Sequence, residues 1–286
     1  MKFQKYIIYS YLDAFKNHMV NRSDKNFISK ESYEHYTVSK SGKRRAVLSG
    51  SVKWAKVEGL QNVGVTGLYL SPADTVQGLN TCKFAGLCKH GCIAFTGNLG
   101  MFHRQTLENR TLALYHYTEQ YLLDMLRELY ITAFKARVDG KSLYCRLNGT
   151  SDLPFHRVLN MDAIVQDFKG LAGFYDYTKF PIVDNPWESY HLTYSYSERT
   201  TKINSQFDRV AIVVTKKDKE RLLEDFDFIF TDGDKHDLRP LDNTKYVLLQ
   251  GKRATATDKQ LHNDFIVSYQ DCVDMFVIPK MWEDCK

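Results

Sequence analysis

The sequence predicts an α/β fold, a TIM-like (βα) barrel with mainly parallel strands and an irregular N-terminal extension. Short apolar runs recur along most of the chain. They are separated by helical or loop segments of about ten to thirty residues, the pattern of βα units and a parallel sheet. About eight such runs can be counted, the number that closes a βα barrel. With 43% hydrophobic residues, 18 Tyr, 17 Phe and only 6 Pro, the chain can bury a full core.

Residues 1–60 read as a basic extension packing on the barrel, and residues 61–286 as the barrel with its cysteine loop. The extension has an amphipathic stretch from Lys5 to Met19 and a polar loop or hairpin turn at Ser39–Arg45. The first strand, near Thr66–Leu70, is stopped by Pro72, and the cysteine segment follows it. From His103 to Lys135 the apolar residues Leu107, Leu114, Leu122, Met125, Leu126 and Leu129 recur at helical spacing, and Val138-Asp139-Gly140 ends the helix. Strands are expected at Leu143–Leu147, Ala172–Tyr177, His191–Tyr196, Arg209–Val214, Phe228–Phe230, Tyr246–Leu249 and Met275–Ile278. Helices are expected near Met161–Phe168 and Lys216–Glu224.

No apolar run approaches the roughly 20 residues that cross a bilayer, so no membrane contact is expected. The first residues lack a long apolar core and a small-residue cleavage site, which makes a cytoplasmic location the expectation. Net charge is +5, and it is uneven: residues 1–60 carry +7 and the remainder −2. The densest part is Lys43, Arg44, Arg45, Lys53 and Lys56, which reads as a solvated face or as a contact for nucleic acid.

Three of the six cysteines, Cys82, Cys88 and Cys92, fall within eleven residues in a C-x5-C-x3-C arrangement. Thiolates are soft ligands that select zinc, copper(I) or iron–sulfur clusters. Three on one loop can hold three corners of a cubane, giving a 4Fe-4S cluster with one iron open, or a 3Fe-4S cluster if that iron is absent. Gly86 and Gly91 allow the loop to curl, and Lys83 and Lys89 offset the cluster's negative charge. The alternative is zinc, with His90 completing a Cys3His set, although no second short ligand pair occurs at a distance.

A second set of candidates follows the strand Leu143–Leu147. Leu143, Cys145 and Leu147 face one way; Tyr144, Arg146 and Asn148 face the other. A strand arginine needs a partner when buried, and Asp152, Asp176 or a bound anion can supply one. Arg146, Asn148 and Asp152 are therefore candidate substrate-binding residues, while Cys145 reads as a core residue. The run Asp232-Gly233-Asp234-Lys235-His236-Asp237 lacks the ligand placement of a calcium loop and reads as an acidic turn. Gly97-Asn98-Leu99-Gly100 is a weak phosphate cradle, because no Lys-Ser/Thr pair follows it.

A cysteine loop directly after the first barrel strand resembles the radical S-adenosylmethionine enzymes, although their spacing is C-x3-C-x2-C. That resemblance implies S-adenosylmethionine over an open iron. The blocks Leu70-Ser71-Pro72-Ala73-Asp74, Asn80 through the cysteines, Gly97-Asn98 and Leu147-Asn148-Gly149-Thr150-Ser151-Asp152 resemble a tailed-phage family known as gene product 88. That likeness, over roughly residues 65–160 at the level of motifs, implies a viral origin, expression in the infected host cell and a cluster-binding barrel. A small-molecule substrate or redox partner is then expected; the alternative is a zinc-braced module that contacts nucleic acid through its basic N-terminal region.

Overall fold

The computed structural model describes residues 2–21, 30–39, 41–50, 62–90, 92, 103–181, 184–200, 207–251 and 265–279. Lys53, Lys56, Gly91, the Gly97–Gly100 run and Cys285 lie outside them. The chain divides into two compact units. The first comprises Met1–Lys83, Ile93–Asp176 and Asp184–His191; the second comprises Phe84–Cys92, Tyr177–Val183 and Leu192–Lys286. The fold is mixed α/β with mainly parallel ladders, as the alternation of apolar runs predicts.

In the first unit, two 3-10 turns (Phe3–Tyr6 and Tyr9–Tyr11) precede helix α1 (Leu12–Met19), so only the last part of the amphipathic stretch from Lys5 to Met19 is α-helix. The turn Phe3–Tyr6 is fixed by aromatic packing: Phe3 and Tyr6 meet the ring of Phe168 edge-on at 5.9 and 5.2 Å. Helix α2 (Tyr33–Thr37) is capped by the Ser32 hydroxyl, which accepts from the His35 N–H. A hairpin turn follows, in which Val38 bridges Arg44 and the Ser39 N–H donates to the Lys43 carbonyl. Strand β1 (Leu48–Ser49) then pairs antiparallel with β2 (Val63–Leu68), Leu48 opposite Leu68.

All six residues of β2 are buried, the mark of an inner strand of a parallel sheet. The strand pairs in parallel with β3 (Ser142–Arg146), and β3 pairs in parallel with β4 (Leu171–Thr178). The expected long helix is two helices, α3 (Arg104–His116) and α4 (Thr118–Val138), broken where Tyr117 leaves helical geometry at φ −131° and ψ 46°. The Tyr117 N–H still closes α3 on the Ala113 carbonyl, and its hydroxyl donates to the Glu31 carbonyl at 2.8 Å. The periodic residues nevertheless face the core, since Leu107, Leu114, Leu122, Met125, Leu126 and Leu129 are all buried. Helix α5 (Met161–Asp167) starts on an Asn160 cap.

In the second unit, β5 (Tyr190–Ser195, from Leu192 onward), β6 (Arg209–Val214), β7 (Phe230–Asp232) and β8 (Tyr246–Gln250) lie in the order β5-β6-β8-β7, all parallel. Strand β8 thus runs between β6 and β7. The strand expected at Phe228–Phe230 begins two residues later, because Phe228 itself is exposed. Helix α6 (Lys216–Asp225) is capped by the Thr215 hydroxyl, which accepts from the Asp218 N–H.

The strand expected at Met275–Ile278 is instead helical. Helix α7 (Tyr269–Cys272) runs into a π-helical turn at Val273–Val277. Cys272 and Phe276 are buried while Met275 and Ile278 are exposed, a spacing of four rather than two. Ser268 caps the helix on the Asp271 N–H, the local start signal.

The acidic run after β7 answers a buried cation. Lys219 of α6 donates to Asp232 at 2.8 Å and to Asp234 at 3.0 Å, and its side chain is only 9% exposed. Lys219→Ala leaves two carboxylates facing each other without their counter-charge. The expected cost is about 2–3 kcal/mol, toward the lower end for breaking a buried pair because both aspartates are partly exposed. A lowered urea midpoint with an unchanged slope is the check. Among the described residues no helix is long and apolar enough to cross a membrane.

Candidate metal centre and strand-end polar cluster

In open parallel sheets, side chains that follow the carboxyl ends of the strands converge, and sites form there. The first unit places a dense polar cluster at the exits of β2, β3 and β4. After β2 the chain turns through Ala73, a non-glycine residue with φ +46°. The Ala73 carbonyl accepts the Thr81 N–H at 2.9 Å, and the Thr81 hydroxyl donates to the Ser71 carbonyl at 2.6 Å. The Cys82 N–H donates to Asn80 Oδ1 at 2.8 Å. The Cys82 thiol stands 3.7 Å from the Thr150 carbonyl oxygen, and the Asp152 N–H donates to the Thr81 carbonyl at 2.8 Å. The first cysteine of the motif is thus fastened to the turn after β3.

That turn depends on a close backbone approach. The Gly149 N–H donates to the Leu68 carbonyl at 2.9 Å, and a Cβ on Gly149 would meet Leu68 O at 2.8 Å and Tyr69 Cδ1 at 2.7 Å. A carbonyl oxygen in a strand cannot swing aside. Gly149→Ala is therefore expected to destabilise the first unit by about 1–3 kcal/mol, the cost of overpacking a filled site. A denaturation midpoint equal to that of the parent chain would contradict it.

Asn148 orders the same turn. Its Nδ2 donates to the Leu153 carbonyl at 3.0 Å, and its Oδ1 accepts from the Ser151 hydroxyl and the Leu153 N–H, each at 2.8 Å. Asp176 of β4 lies beneath, fully buried. It accepts from the Asn148 N–H at 2.7 Å, from Asn148 Nδ2 at 3.3 Å and from the Tyr190 hydroxyl at 2.8 Å. Arg146 approaches it with Nε 3.9 Å from Oδ1 and its side chain 11% exposed.

Arg146, Asn148 and Asp152 are thus brought to one place, joined to Asp176 and Tyr190. Asp176 is a nearby charge for Arg146, one of the three partners (Asp152, Asp176 or a bound anion) expected for a buried strand arginine. Tyr190 has no counterpart in the sequence reading, because its hydroxyl arrives from the start of another strand, fourteen positions beyond Asp176.

Burial pushes the Asp176 carboxyl up to about 7, against the opposing pull of the Arg146 charge and the Asn148 and Tyr190 hydrogen bonds. Burial likewise holds His156 down to about 4; its ring lies 6.2 Å from that of Tyr190, tilted by 30°. Cys145, fully buried in β3, has its thiol pushed well up by burial and belongs to the core.

The rest of the cysteine segment belongs to the second unit. Gly86–Lys89 forms a 3-10 turn in which the Cys88 N–H donates to the Ala85 carbonyl and the His90 N–H to the Leu87 carbonyl, each at 3.0 Å. Ahead of it, the Phe84 ring packs on Phe180 with centroids 4.8 Å apart. Cys82, Cys88 and Cys92 are all half-buried and outside any disulfide. In kind they fit a thiolate-bound metal or cluster, being soft donors outside any disulfide. Among the described residues, no three His, Cys, Asp or Glu side chains form a ready-made metal group.

The basic N-terminal residues are partly spent inside the first unit. Arg44 pairs with the buried Asp124, which also meets Arg127 at 3.2 Å, and Arg45 donates to the Tyr36 carbonyl at 3.2 Å.

A family model described as Gene product 88 matches residues 37–267. No curated protein and no solved structure matches the chain.

Proposed function

As the chain belongs to the Gene product 88 family, a family of phage proteins, we propose that it is a phage-encoded iron–sulfur protein. Its cluster is held by Cys82, Cys88 and Cys92 on a TIM-like βα fold, in the cytoplasm of the infected host. The observation that supports the reading is the anchoring of Cys82, a cysteine outside any disulfide, against the turn that also carries Asn148 and Asp152. Two further cysteines outside any disulfide follow within ten residues.

On this reading, cluster binding is coupled to local folding of the loop, because the thiolates come together as the metal binds. The three thiolates would hold a 4Fe-4S cluster with one iron left for a small molecule, or a 3Fe-4S cluster. When bound, the cluster supplies one-electron chemistry. The chain's own residues do the rest: Asn148 holds the turn, Asp152 and Arg146 border it, and Asp176 fixes Arg146 by charge. S-adenosylmethionine is the co-substrate on the radical-enzyme version, and an electron-transfer partner on the simpler one.

Reconstituted protein should retain S-adenosylmethionine through gel filtration and cleave it to 5′-deoxyadenosine under reducing conditions. Failure of both would remove the radical version and leave electron transfer. The competing reading is a zinc-braced module, with His90 as a fourth ligand, that contacts nucleic acid through Lys43, Arg44 and Arg45. We place it second because Arg44 and Arg45 already serve Asp124 and the Tyr36 carbonyl.

A further inference from the structure

The geometry points to Glu198 as the positioning residue of the cysteine loop, a carboxylate that holds the turn presenting Cys88 and sets the charge around it. For its purpose, this rests on the thiolate-cluster reading above; the contact itself does not.

Four observations within the second unit carry it. Glu198 Oε1 accepts the Leu87 N–H at 2.9 Å, one residue before Cys88. The bond closes an otherwise open donor, since Leu87 lies in the first positions of the 3-10 turn, whose N–H groups have no partner inside it. Gly86 leaves the space that the carboxylate fills: a Cβ there would stand 2.0 Å from Glu198 Oε1, and the backbone is left-handed at φ +53°. Finally, the Glu198 side chain is only 23% exposed and its Oε1 lies 3.9 Å from Arg199 Nε, so the carboxylate is held rather than waving in solvent.

An N–H to carboxylate bond is charge-assisted and about twice as strong as a neutral one. Through it a residue more than a hundred positions away restrains the ligand loop. A negative charge beside thiolates disfavours adding an electron to whatever they bind, so the same residue tunes potential as well as position.

The test compares the full chain with Glu198→Ala, Glu198→Gln and Gly86→Ala, first without metal. Amide hydrogen exchange at Leu87 is followed together with iodoacetamide alkylation of Cys88, read by peptide mass spectrometry. In Glu198→Ala the Leu87 amide should exchange about tenfold faster, the loss expected for one partly exposed charge-assisted bond, and Cys88 should alkylate faster. Glu198→Gln keeps an acceptor oxygen but loses the charge assistance, so its Leu87 exchange should fall between the parent and Glu198→Ala. Gly86→Ala should resemble Glu198→Ala, and should add less to the double variant than to the parent chain, because its clash has gone. Leu87 exchange unchanged in Glu198→Ala would overturn the positioning role.

After reconstitution with iron and sulfide, Glu198→Gln should bind as much iron as the parent but at a more positive reduction potential. An unchanged potential would overturn the tuning role. If the parent chain itself takes up no cluster, the functional reading fails, while the exchange result still decides whether Glu198 holds the loop.

Discussion

Replacing Cys88 by alanine is expected to strip the anaerobically purified protein of iron and inorganic sulfide. Cys88 lies in the 3-10 turn Gly86–Lys89, and His90 is the donor side chain nearest to it in sequence. Loss of an outer-shell partner alone costs about 10–100-fold in metal affinity, and loss of a ligand should exceed that. Cys145→Ala is the matched control: that thiol is fully buried in β3, and its removal should lower stability by about 1–2 kcal/mol without touching iron content. Equal iron in Cys88→Ala and the parent would remove Cys88 from the ligand set.

The second large effect concerns Asp176. Truncation to alanine leaves the Asn148 N–H and the Tyr190 hydroxyl without this acceptor and removes the carboxylate that faces the Arg146 guanidinium, all in a buried setting. The expected loss is about 3–5 kcal/mol, the range for uncovering one partner of a buried charged pair. The same group predicts a pH dependence.

A carboxyl raised from 3.8 to about 7 binds more protons folded than unfolded between those values. Its contribution to stability is therefore full below about pH 4 and declines as pH rises toward 7. Asp176→Asn keeps a side chain of the same shape and removes that decline. Unfolding free energies for the parent and Asp176→Asn, taken at several pH values across the window, should lie closest at low pH, where the carboxyl is as neutral as the amide, and separate as pH rises and the parent declines. Parallel curves would show that Asp176 stays ionised throughout.

Much of the architecture was legible because the strands are short, apolar and bounded by turn residues. Arg209–Val214 is a strand over the predicted residues, β3 and β5 lie one residue earlier than predicted, and β8 runs one residue longer. The failures share a cause. Met275–Ile278 looks like a strand because four residues cannot tell a period of two from one of four, and the Ser268 cap upstream was the deciding signal. The break at Tyr117 was not legible, since α3 and α4 carry one continuous apolar periodicity across it.

At the polar cluster, strand alternation put Arg146 and Asn148 on one face and named Asp176 among the partners for the arginine. Alternation could not show that Asn148 would be saturated by Ser151, Leu153 and Asp176, nor that Tyr190 would reach in. Those are contacts between distant segments, and a sequence pattern within one element carries no record of them. Glu198 is the same case: its position after a strand was visible, but its hold on the Leu87 N–H was not.

The most direct test is metal analysis of the chain purified without oxygen, with iron, sulfide and zinc measured per polypeptide beside an absorption spectrum. Three or four irons with matching sulfide are expected, with a broad thiolate-to-iron band at about 400 nm. A colourless protein carrying one zinc and no sulfide would contradict it, and would make the cysteine loop a structural brace.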